Sequence, residues 1–233
     1  MARASSWGPA LLGGLAGSLL TLGALFAFPD VLSSRLVRSG MLADPSILPD
    51  TADALRDAQY APVLAANRAA LEKPFASSWK GAAKGDVTIV EFFDYACPYC
   101  KASNPDIDRL VAEDKGVRVV YRELPILGPE SVAAARLSLT ASKAGRFNQF
   151  HDALWEAGKP GAETFAVAAG AAGIAPAPVP DPDVEAELKR NFDLASKLGA
   201  TGTPLFIVGD RVISGAAGYD QLKAAVEAAR EKG

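Results

Sequence analysis

Residues 91–101, EFFDYACPYCK, hold both cysteines of the 233-residue chain, Cys97 and Cys100. The apolar, β-rich run DVTIVEFF, which leads into them, predicts a buried strand. The residues from Cys97 onward predict a helix, and the alternating run GVRVVYREL predicts the next strand. Strand, helix and strand in this order favour a right-handed crossover and parallel pairing. The two cysteines are therefore expected at the start of a helix that directly follows a strand.

The position of the cysteines predicts redox chemistry. The first N–H groups of a helix lack partners within it, and the helix dipole adds partial positive charge there, so a thiolate at Cys97 is stabilised. Pro98 suits the first turn because the N–H that it lacks would be unpaired anyway. Cys100 lies one turn later on the same side and can attack a mixed disulfide formed at Cys97. The pair is expected to alternate between dithiol and disulfide without a cofactor.

Other interpretations of the cysteine pair explain less. A structural disulfide that closes so small a loop would stabilise little. A structural zinc site needs about four ligands, whereas the chain has two cysteines and a single histidine, His151. Two inert thiols would explain neither their spacing nor their place at a helix start. No metal ligand is therefore assigned, and the net charge of −3 gives no reason to expect nucleic acid as a partner.

The rest of the chain predicts a helical block inserted into a small mixed sheet. Four stretches between about residues 125 and 198 predict helices: SVAAARLSLTASKAG, RFNQFHDALWEAG, ETFAVAAGAAG and VEAELKRNFDLASKLG. Residues 174–183 are proline-rich and predict a loop. Strand character returns in PLFIVGDRVISG, with a hairpin turn at Gly209 and Asp210, and YDQLKAAVEAAREKG predicts a final helix. The predicted order is βαβ, helical block, ββα.

Pro204 opens the strand in the second half of the predicted sheet, in the run GATGTPLFIV. Proline is tolerated at a strand start, and a cis Thr203–Pro204 bond would be a purposeful feature. A trans proline in an edge loop is the alternative, and the residues alone leave both open. About a hundred residues separate Pro204 from Cys97, so only the fold could bring them together.

The amino-terminal segment predicts export. Residues 8–28 form a run of 21 residues without a charge, which is long enough to cross a bilayer as a helix. The run also resembles a secretory signal, although no A-x-A cleavage site stands at its end. We predict an uncleaved membrane anchor within residues 1–28, with a cleaved signal as the alternative. Either route would place the bulk of the protein in an oxidising compartment.

Residues 29–80 predict a helical arm or linker that precedes the domain of residues 81–233. Leucines recur in it at intervals of seven residues, in the pairs Leu48 and Leu55, and Leu64 and Leu71. Pro62 falls between these pairs and is expected to kink or split the helix. Residues 42–72 of this arm could join two copies of the chain or could be a solvated spacer, and the sequence leaves both open.

Three runs, TIVEFFDYACPYCK, TGTPLFIV and ISGAAGYDQL, closely resemble the DsbA-type thiol–disulfide oxidoreductases of the thioredoxin-fold superfamily. The run LADPSILPD resembles the amino-terminal region of the suppressor-of-copper-sensitivity C branch. The resemblance extends from about Leu42 to the end of the chain. It implies a thioredoxin fold with an inserted helical domain, which agrees with the α/β order predicted from the residues.

The resemblance also implies roles for individual residues. It implies that Cys97 is an exposed nucleophile, that Cys100 is its buried partner, and that Pro204 is cis and packs against the pair. Thr203 would then offer its backbone to an extended substrate chain, a form of strand addition.

Glu91 stands where the family has a buried acidic residue. Burial would raise the pKa of its carboxyl, which could then relay a proton to or from the second cysteine. Pro98 and Tyr99, between the cysteines, complete the expected substrate-binding set, and Tyr99 occupies the variable position that tunes the redox potential. His151 is predicted to be a helix-surface or packing residue of the helical block rather than a catalytic one, and Trp155 a packing residue.

Together these features predict a periplasmic thiol–disulfide oxidoreductase that introduces disulfides into unfolded or partly folded exported proteins. A membrane oxidase would then have to restore the disulfide between Cys97 and Cys100. An isomerase or reductase, kept reduced by a membrane thiol donor, is an alternative that oligomerisation through residues 42–72 would favour. A copper(I)-handling protein that uses both thiolates as soft ligands is a further alternative.

Overall fold

The computed structural model describes residues 29–177 and 179–232 of the chain. The membrane anchor or signal predicted at residues 8–28 lies outside the described residues. Among those described, no helix is long and apolar enough to cross a membrane.

The described residues form helices and strands in the order expected for an α/β protein. In chain order they are α1 (Pro29–Ala43), α2 (Ile47–Glu72), β1 (Trp79–Gly81), β2 (Val87–Phe93), α3 (Pro98–Glu113), β3 (Val117–Glu123), α4 (Pro129–Lys143), α5 (Phe147–Ala157), α6 (Ala162–Ala172), α7 (Pro182–Lys197), β4 (Leu205–Val208), β5 (Arg211–Ser214) and α8 (Tyr219–Lys232). The chain divides into two compact units between Leu55 and Arg56. The strands and both cysteines belong to the second unit.

The strands form one sheet in the order β1-β3-β2-β4-β5. β2 and β3 pair in parallel, with α3 between them in the chain, which confirms the predicted βαβ unit. β4 pairs antiparallel with β2, and β5 pairs antiparallel with β4, so the sheet is mixed as expected. α4 to α7 follow β3 and precede β4, where the helical block was predicted. This mixed sheet with its helices is consistent with a thioredoxin-like fold.

β1 is an edge strand that the sequence did not predict. It has three residues and pairs antiparallel with β3. Its sequence, WKG, is too short to show the alternation that marks a strand. The strand therefore depends on pairing with its neighbour rather than on a local preference.

α2 continues without a break through Pro62, so the prediction that this proline splits the helix is wrong. A proline in a helix leaves the carbonyl four residues earlier, here that of Ala58, without its helical partner. Both Pro62 and Ala58 are exposed, so water can bind that carbonyl. Leu64 and Leu71 of the same helix are buried in a hydrophobic core and hold the helix against the sheet. α3 likewise continues through Pro105.

Apolar side chains are buried on both faces of the sheet. Ile89 and Phe93 of β2 pack on the face covered by α3, α8 and part of the inserted block. Val90 and Phe92 of the same strand pack on the opposite face, against α2 and α7. Burial along nearly the whole of β2 is what a central strand covered on both faces requires. Both cysteines belong to the first of these cores, so the start of α3 is anchored in it.

The proline-rich stretch at residues 174–183 connects α6 to α7 and ends in a helix cap. The carboxylate of Asp181 accepts two backbone N–H groups of the first turn of α7, and Pro182 is the first residue of that helix. This arrangement suits the missing N–H of proline. After α7 the chain turns at Gly199, whose φ of 62° lies in the left-handed region that favours glycine.

Candidate active site

The loop between β2 and α3 is held by Asp94, which is buried directly after the strand. Its Oδ1 accepts a hydrogen bond from the N–H of Ala96 at 2.8 Å, and its backbone carbonyl accepts one from the N–H of Cys97 at 2.9 Å. Its Oδ2 accepts the N–H groups of Ile126 and Leu127 at 2.8 and 3.0 Å. One carboxylate therefore joins the loop after β2 to the loop after β3 and fixes where α3 begins.

Cys97 is the N-cap residue of α3 and has extended backbone angles, φ −82° and ψ 117°. Its Sγ donates a hydrogen bond to the carbonyl oxygen of Thr203 at 3.2 Å. The Thr203–Pro204 peptide bond is cis, as the resemblance implies, and Pro204 is buried. The fold thus brings the two sequence motifs into direct contact.

The expectation of an exposed nucleophile is wrong in one respect, because Cys97 has only 4% of its surface exposed. Its sulfur is covered by the contact with Thr203 and by the core around it. Pro98 and Tyr99, between the two cysteines, are instead exposed, Tyr99 by 63%. These two residues therefore form the exposed surface beside the covered sulfur.

Cys100 is fully buried, with 0% of its surface exposed. Burial raises the pKa of its thiol well above the usual value, and the neighbouring charge of Glu91 raises it further. The buried cysteine is therefore held as a neutral thiol while the pair is reduced, and any thiolate that forms there readily takes up a proton.

Glu91 lies on β2 on the same face as Ile89 and Phe93, because side chains alternate along a strand, and that is the face covered by α3. It is 1% exposed, and neither carboxyl oxygen has a hydrogen-bond partner within residues 29–177 and 179–232. Burial raises the pKa of this carboxyl well above 4.5, with smaller contributions from the charges of Cys97 and Asp108. A buried carboxyl without partners is favoured in its protonated form, in which it can donate a proton.

A chain of hydrogen bonds runs from the inserted helices to the residues beside Cys97. The indole N–H of Trp155 donates to Nε2 of His151 at 3.1 Å. Because an indole can only donate, the proton of a neutral imidazole lies on Nδ1, which donates to the hydroxyl of Tyr95 at 3.0 Å. The Tyr95 hydroxyl is 2.9 Å from that of Ser138 and forms a hydrogen bond with it. α4 and α5 are thus joined to the loop that precedes α3.

His151 is both a packing residue, as predicted, and a member of this network, which the sequence did not reveal. It is buried, and its ring contacts those of Phe93, Tyr121 and Phe147. Burial lowers the pKa of its imidazole well below 6.5, and the charge of Lys80 lowers it further. The imidazole is therefore neutral, as the hydrogen bond from the indole requires.

A cavity of about 350 Å³, here called the flanking cavity, opens beside Cys97. The start of α3 contributes Cys97, Pro98 and Lys101 to its wall. The end of α5 and the loop after it contribute Trp155 and Lys159. The cavity therefore borders the residue whose sulfur is otherwise covered.

Within the part of the chain that the structure describes, no group of three or more His, Cys, Asp or Glu side chains could hold a metal ion. Both cysteines are free thiols in this structure. The site therefore consists of two thiols, the buried carboxyl of Glu91, and the backbone at Thr203 and Pro204.

A family model for the DSBA-like thioredoxin domain matches residues 88–227. This match begins within β2 and ends within α8, so it includes the sheet from β2 onward, both cysteines and the inserted helical block.

Solved structures show the same similarity. A periplasmic thioredoxin-like protein from Salmonella enterica serovar Typhimurium is 34% identical, with a TM-score of 0.64 over 70% of this chain and 94% of that chain. A linker-deletion mutant of ScsC from Proteus mirabilis is 29% identical, with a TM-score of 0.69 over 88% of this chain and 96% of that chain. The second similarity extends over more of this chain than the first.

Curated relatives include Disulfide bond formation protein D from Bacillus subtilis, which is 32% identical over 159 residues, 60% of this chain and 71% of that protein. Two Na⁺/H⁺ antiporters of the NhaA type from Salinispora species match over 77 residues at 35% and 34% identity. The chain spans only 12% of the length of these antiporters, so that similarity is confined to a small part of them.

Proposed function

The chain belongs to the DsbA-like thioredoxin-domain family, and from this premise we propose that it is a thiol–disulfide oxidoreductase that introduces disulfides into exported proteins. The observation that supports this most directly is the contact between Cys97 and Thr203 beside a cis Pro204, with Cys100 buried one helical turn away. This arrangement places one cysteine at the wall of the flanking cavity and keeps the other fully buried.

The proposed reaction is a two-electron exchange of thiols and disulfide. A thiolate of the substrate attacks Sγ of Cys97 in the oxidised protein, which forms a mixed disulfide and releases Cys100 as a thiolate. The second substrate thiol, after losing its proton, attacks the first substrate sulfur in the mixed disulfide and releases Cys97 as a thiolate. The substrate has then lost two electrons and two protons and gained a disulfide, and the protein is left as the dithiol.

Glu91 is proposed to supply the proton that the departing Cys100 needs. Its buried carboxyl is favoured in the protonated form, and the charge of Glu91 raises the pKa of Cys100. A thiolate released in so apolar a place would be unstable unless a proton reached it. We expect Glu91→Gln to slow the first attack on Cys97, which expels Cys100, at neutral pH, and to leave the second attack, which expels Cys97, less affected.

Thr203 and Pro204 are proposed to hold the substrate chain, together with the exposed Pro98 and Tyr99. The carbonyl of Thr203 accepts the thiol proton of Cys97 in the reduced form. That thiol proton is absent from the disulfide, so in the oxidised protein the carbonyl is free to accept a backbone N–H from an extended substrate. Oxidised protein would therefore bind substrate more tightly than reduced protein.

An extracytoplasmic location is proposed from the predicted anchor or signal at residues 8–28 and from the similarity to a periplasmic thioredoxin-like protein. Disulfides persist in such compartments. After each reaction the dithiol must be reoxidised, and a membrane oxidase is the proposed partner for that step.

An isomerase or reductase is the second candidate, because the arm is better suited to association than its sequence suggested. α2 runs unbroken from Ile47 to Glu72, so Pro62 does not divide it. Leu48 and Leu55 are exposed on it. Sedimentation of the full chain in detergent separates the candidates, since a monomer would favour the disulfide donor and an oligomer the isomerase or reductase.

The main test incubates the oxidised protein with a reduced, unfolded substrate and counts the disulfides that appear in the substrate. We expect one substrate disulfide for each Cys97–Cys100 pair that is reduced. Cys97→Ser should be inactive, and Cys100→Ser, incubated instead with a substrate that already carries a disulfide, should trap the mixed disulfide between Cys97 and that substrate. The proposal fails if the substrate gains no disulfides, or if Cys97→Ser behaves like the parent protein.

A further inference from the structure

The flanking cavity lies beside Cys97, and the reaction described above assigns it no occupant. We propose that it binds a side chain bearing a carboxylate, from the residue next to the substrate cysteine that bonds to Cys97. This inference rests on the proposed function and extends it from a reaction to a class of substrate sequence, namely cysteines that have aspartate or glutamate beside them.

The flanking cavity lies where the residue next to a bound substrate cysteine would pass. Cys97 forms part of the cavity wall, so a substrate cysteine bonded to it is held at the cavity edge. Neighbouring residues of an extended chain follow at about 3.3–3.6 Å each, so the residue next to that cysteine passes over the opening. A volume of about 350 Å³ is near the lower end of small-molecule sites, about 300–1,000 Å³. It is therefore suited to one or two side chains rather than to a folded element.

Part of the wall of the flanking cavity is aromatic. Trp155 and Tyr95 both line the flanking cavity. The indole N–H of Trp155 is already bonded to His151, and the hydroxyl of Tyr95 is bonded to His151 and Ser138. The cavity therefore meets ring surface rather than free donors, and such a surface favours the methylene groups of an acidic side chain.

The charged side chains that line the flanking cavity are both lysines. Lys101 and Lys159 line the flanking cavity, come from different elements and are exposed. Neither takes part in the ion pairs found among residues 29–177 and 179–232. Glu156, beside Trp155 in the sequence, is exposed but does not line the cavity, and the nearby Asp152 is paired with Lys80 at 3.1 Å. The charges that face the cavity are thus positive, and a carboxylate is the group that matches them.

The net charge of the whole chain has the opposite sign to the charges at the cavity, so the two would favour different peptides. The net charge is −3, so long-range attraction by the whole protein would favour basic peptides over acidic ones. A preference for acidic peptides would have to come from local positive groups near the sulfur. The sign of the preference therefore distinguishes the flanking cavity from the overall field of the molecule.

The experiment measures how fast short peptide thiols reduce the Cys97–Cys100 disulfide of the full chain in detergent. The peptides are identical except for Glu, Gln or Lys beside the cysteine, placed before it in one set and after it in the other. Each rate constant is divided by the rate of the same peptide with a small neutral disulfide, which removes differences in intrinsic thiol reactivity. We expect the Glu peptide of at least one set to react about 3- to 10-fold faster than the Lys peptide at low salt, and less so at high salt.

Substitutions of the two cavity lysines test whether the preference for the Glu peptide arises at the flanking cavity. Lys101→Glu with Lys159→Glu should abolish or reverse the ratio of the Glu to the Lys peptide, and the milder pair Lys101→Gln with Lys159→Gln should bring the ratio close to one. The matched control is Lys84→Glu, an exposed lysine before β2 and so at the opposite end of that strand from Cys97. Lys84→Glu changes the net charge by the same amount as each single Lys→Glu replacement in the cavity. It should leave the ratio of the Glu to the Lys peptide unchanged. A ratio within one variant is unaffected by any change in the reactivity of Cys97 itself.

The outcomes separate the two proposals. If the parent protein oxidises all peptides at similar corrected rates, or if the lysine variants keep the parent ratio, the flanking cavity does not bind carboxylates and the oxidoreductase proposal stands. If Lys84→Glu alters the ratio as much as the cavity variants do, the preference belongs to the overall charge and the inference is overturned. If no peptide reduces the disulfide at all, the proposed function itself fails, and this inference with it.

Discussion

Glu91 shows at the scale of one residue how burial sets a charge state. Its carboxyl is enclosed without a hydrogen-bond partner among residues 29–177 and 179–232, and burial raises its pKa in the folded protein above the usual 4.5. At neutral pH the unfolded chain has released this proton, whereas the folded chain tends to keep it. The stability that this group contributes is therefore full below pH 4.5 and is lost as the pH rises through the folded pKa.

The first prediction concerns Glu91→Gln, which keeps the shape of the side chain and removes the ionisable group. We expect the variant to be more stable than the parent at pH 8, with an advantage that shrinks toward pH 4. Thermal unfolding of the reduced proteins measures this, since 1 kcal/mol corresponds to about 2–4 °C for a chain of this size. Glu227→Gln, on the exposed side of α8, is the control and should change the melting temperature little at any pH. A variant that is less stable than the parent at pH 8 would contradict the account.

The residue scale also shows what a sequence can reveal about a site. Cys97, Cys100 and Pro204 were identifiable because each has a local signature, a C-x-x-C pair after a strand and a proline at a strand start. Asp94 and His151 had no such signature. The hydrogen bonds of Asp94 extend to a loop about thirty residues away, and those of His151 join two helices to the loop before α3. Contacts of this kind are created by the fold and cannot be seen in the local sequence.

At the scale of elements, α2 shows burial overriding a helix breaker. Pro62 removes one hydrogen bond, but Leu64 and Leu71 on the buried side bind the helix to the sheet. The sequence shows where the leucines and the proline stand in the helix. It does not show whether burial of the leucines outweighs the hydrogen bond lost at the proline, because the strength of the buried contacts depends on the residues packed opposite them. β1 is the reverse case, since its three residues have no signal and the partner strand alone makes them extended.

The second prediction is that Pro62→Ala stabilises the protein. Alanine restores the N–H that can bond to the carbonyl of Ala58, and both positions are exposed, so no core contact is lost. In a helix interior the exchange is worth up to about 3 kcal/mol, and we expect about 1–2 kcal/mol here because exposed prolines are partly compensated by water. Guanidinium unfolding measures the change.

Ala61→Gly is the companion variant, at the neighbouring exposed position of the same helix. It should lower the stability by about 0.5–1 kcal/mol, because glycine loses more backbone freedom than alanine in a helix. If neither substitution changes the stability, this part of α2 does not contribute to the folding of the second unit as the structure indicates.

At the scale of the whole molecule, one buried arginine connects the parts that surround the sheet. Arg122 of β3 donates to the backbone carbonyls of Leu71 and Lys73 at the end of α2, and to the side chains of Glu187 and Asn191 on α7. The insertion and the carboxyl end of α2 are thus fixed to the same strand, next to the strand that leads to Cys97. The redox centre is therefore built into the core, and its oxidation state should influence the stability of the whole domain.

The last prediction follows from that coupling. In the dithiol form Cys97 donates its S–H to the carbonyl of Thr203, and Cys100 is a neutral thiol in an apolar core, so both sulfurs are well accommodated. Forming the disulfide removes the S–H donor and leaves the carbonyl of Thr203 without this partner. Because the closed loop is very small, the disulfide constrains the unfolded chain little in return. We therefore expect the reduced protein to be the more stable form, by about 1 kcal/mol or more.

This difference in stability is also a statement about function, because a protein that is more stable when reduced gives its disulfide away more readily. For a two-electron couple, 1.4 kcal/mol corresponds to about 30 mV in reduction potential. Guanidinium unfolding of the oxidised and the reduced protein measures the difference, and the double variant Cys97→Ser with Cys100→Ser should unfold identically with and without reductant. If the oxidised form proves more stable, the pair holds its disulfide tightly, and the chain must act as a reductant or isomerase rather than as the disulfide donor proposed here.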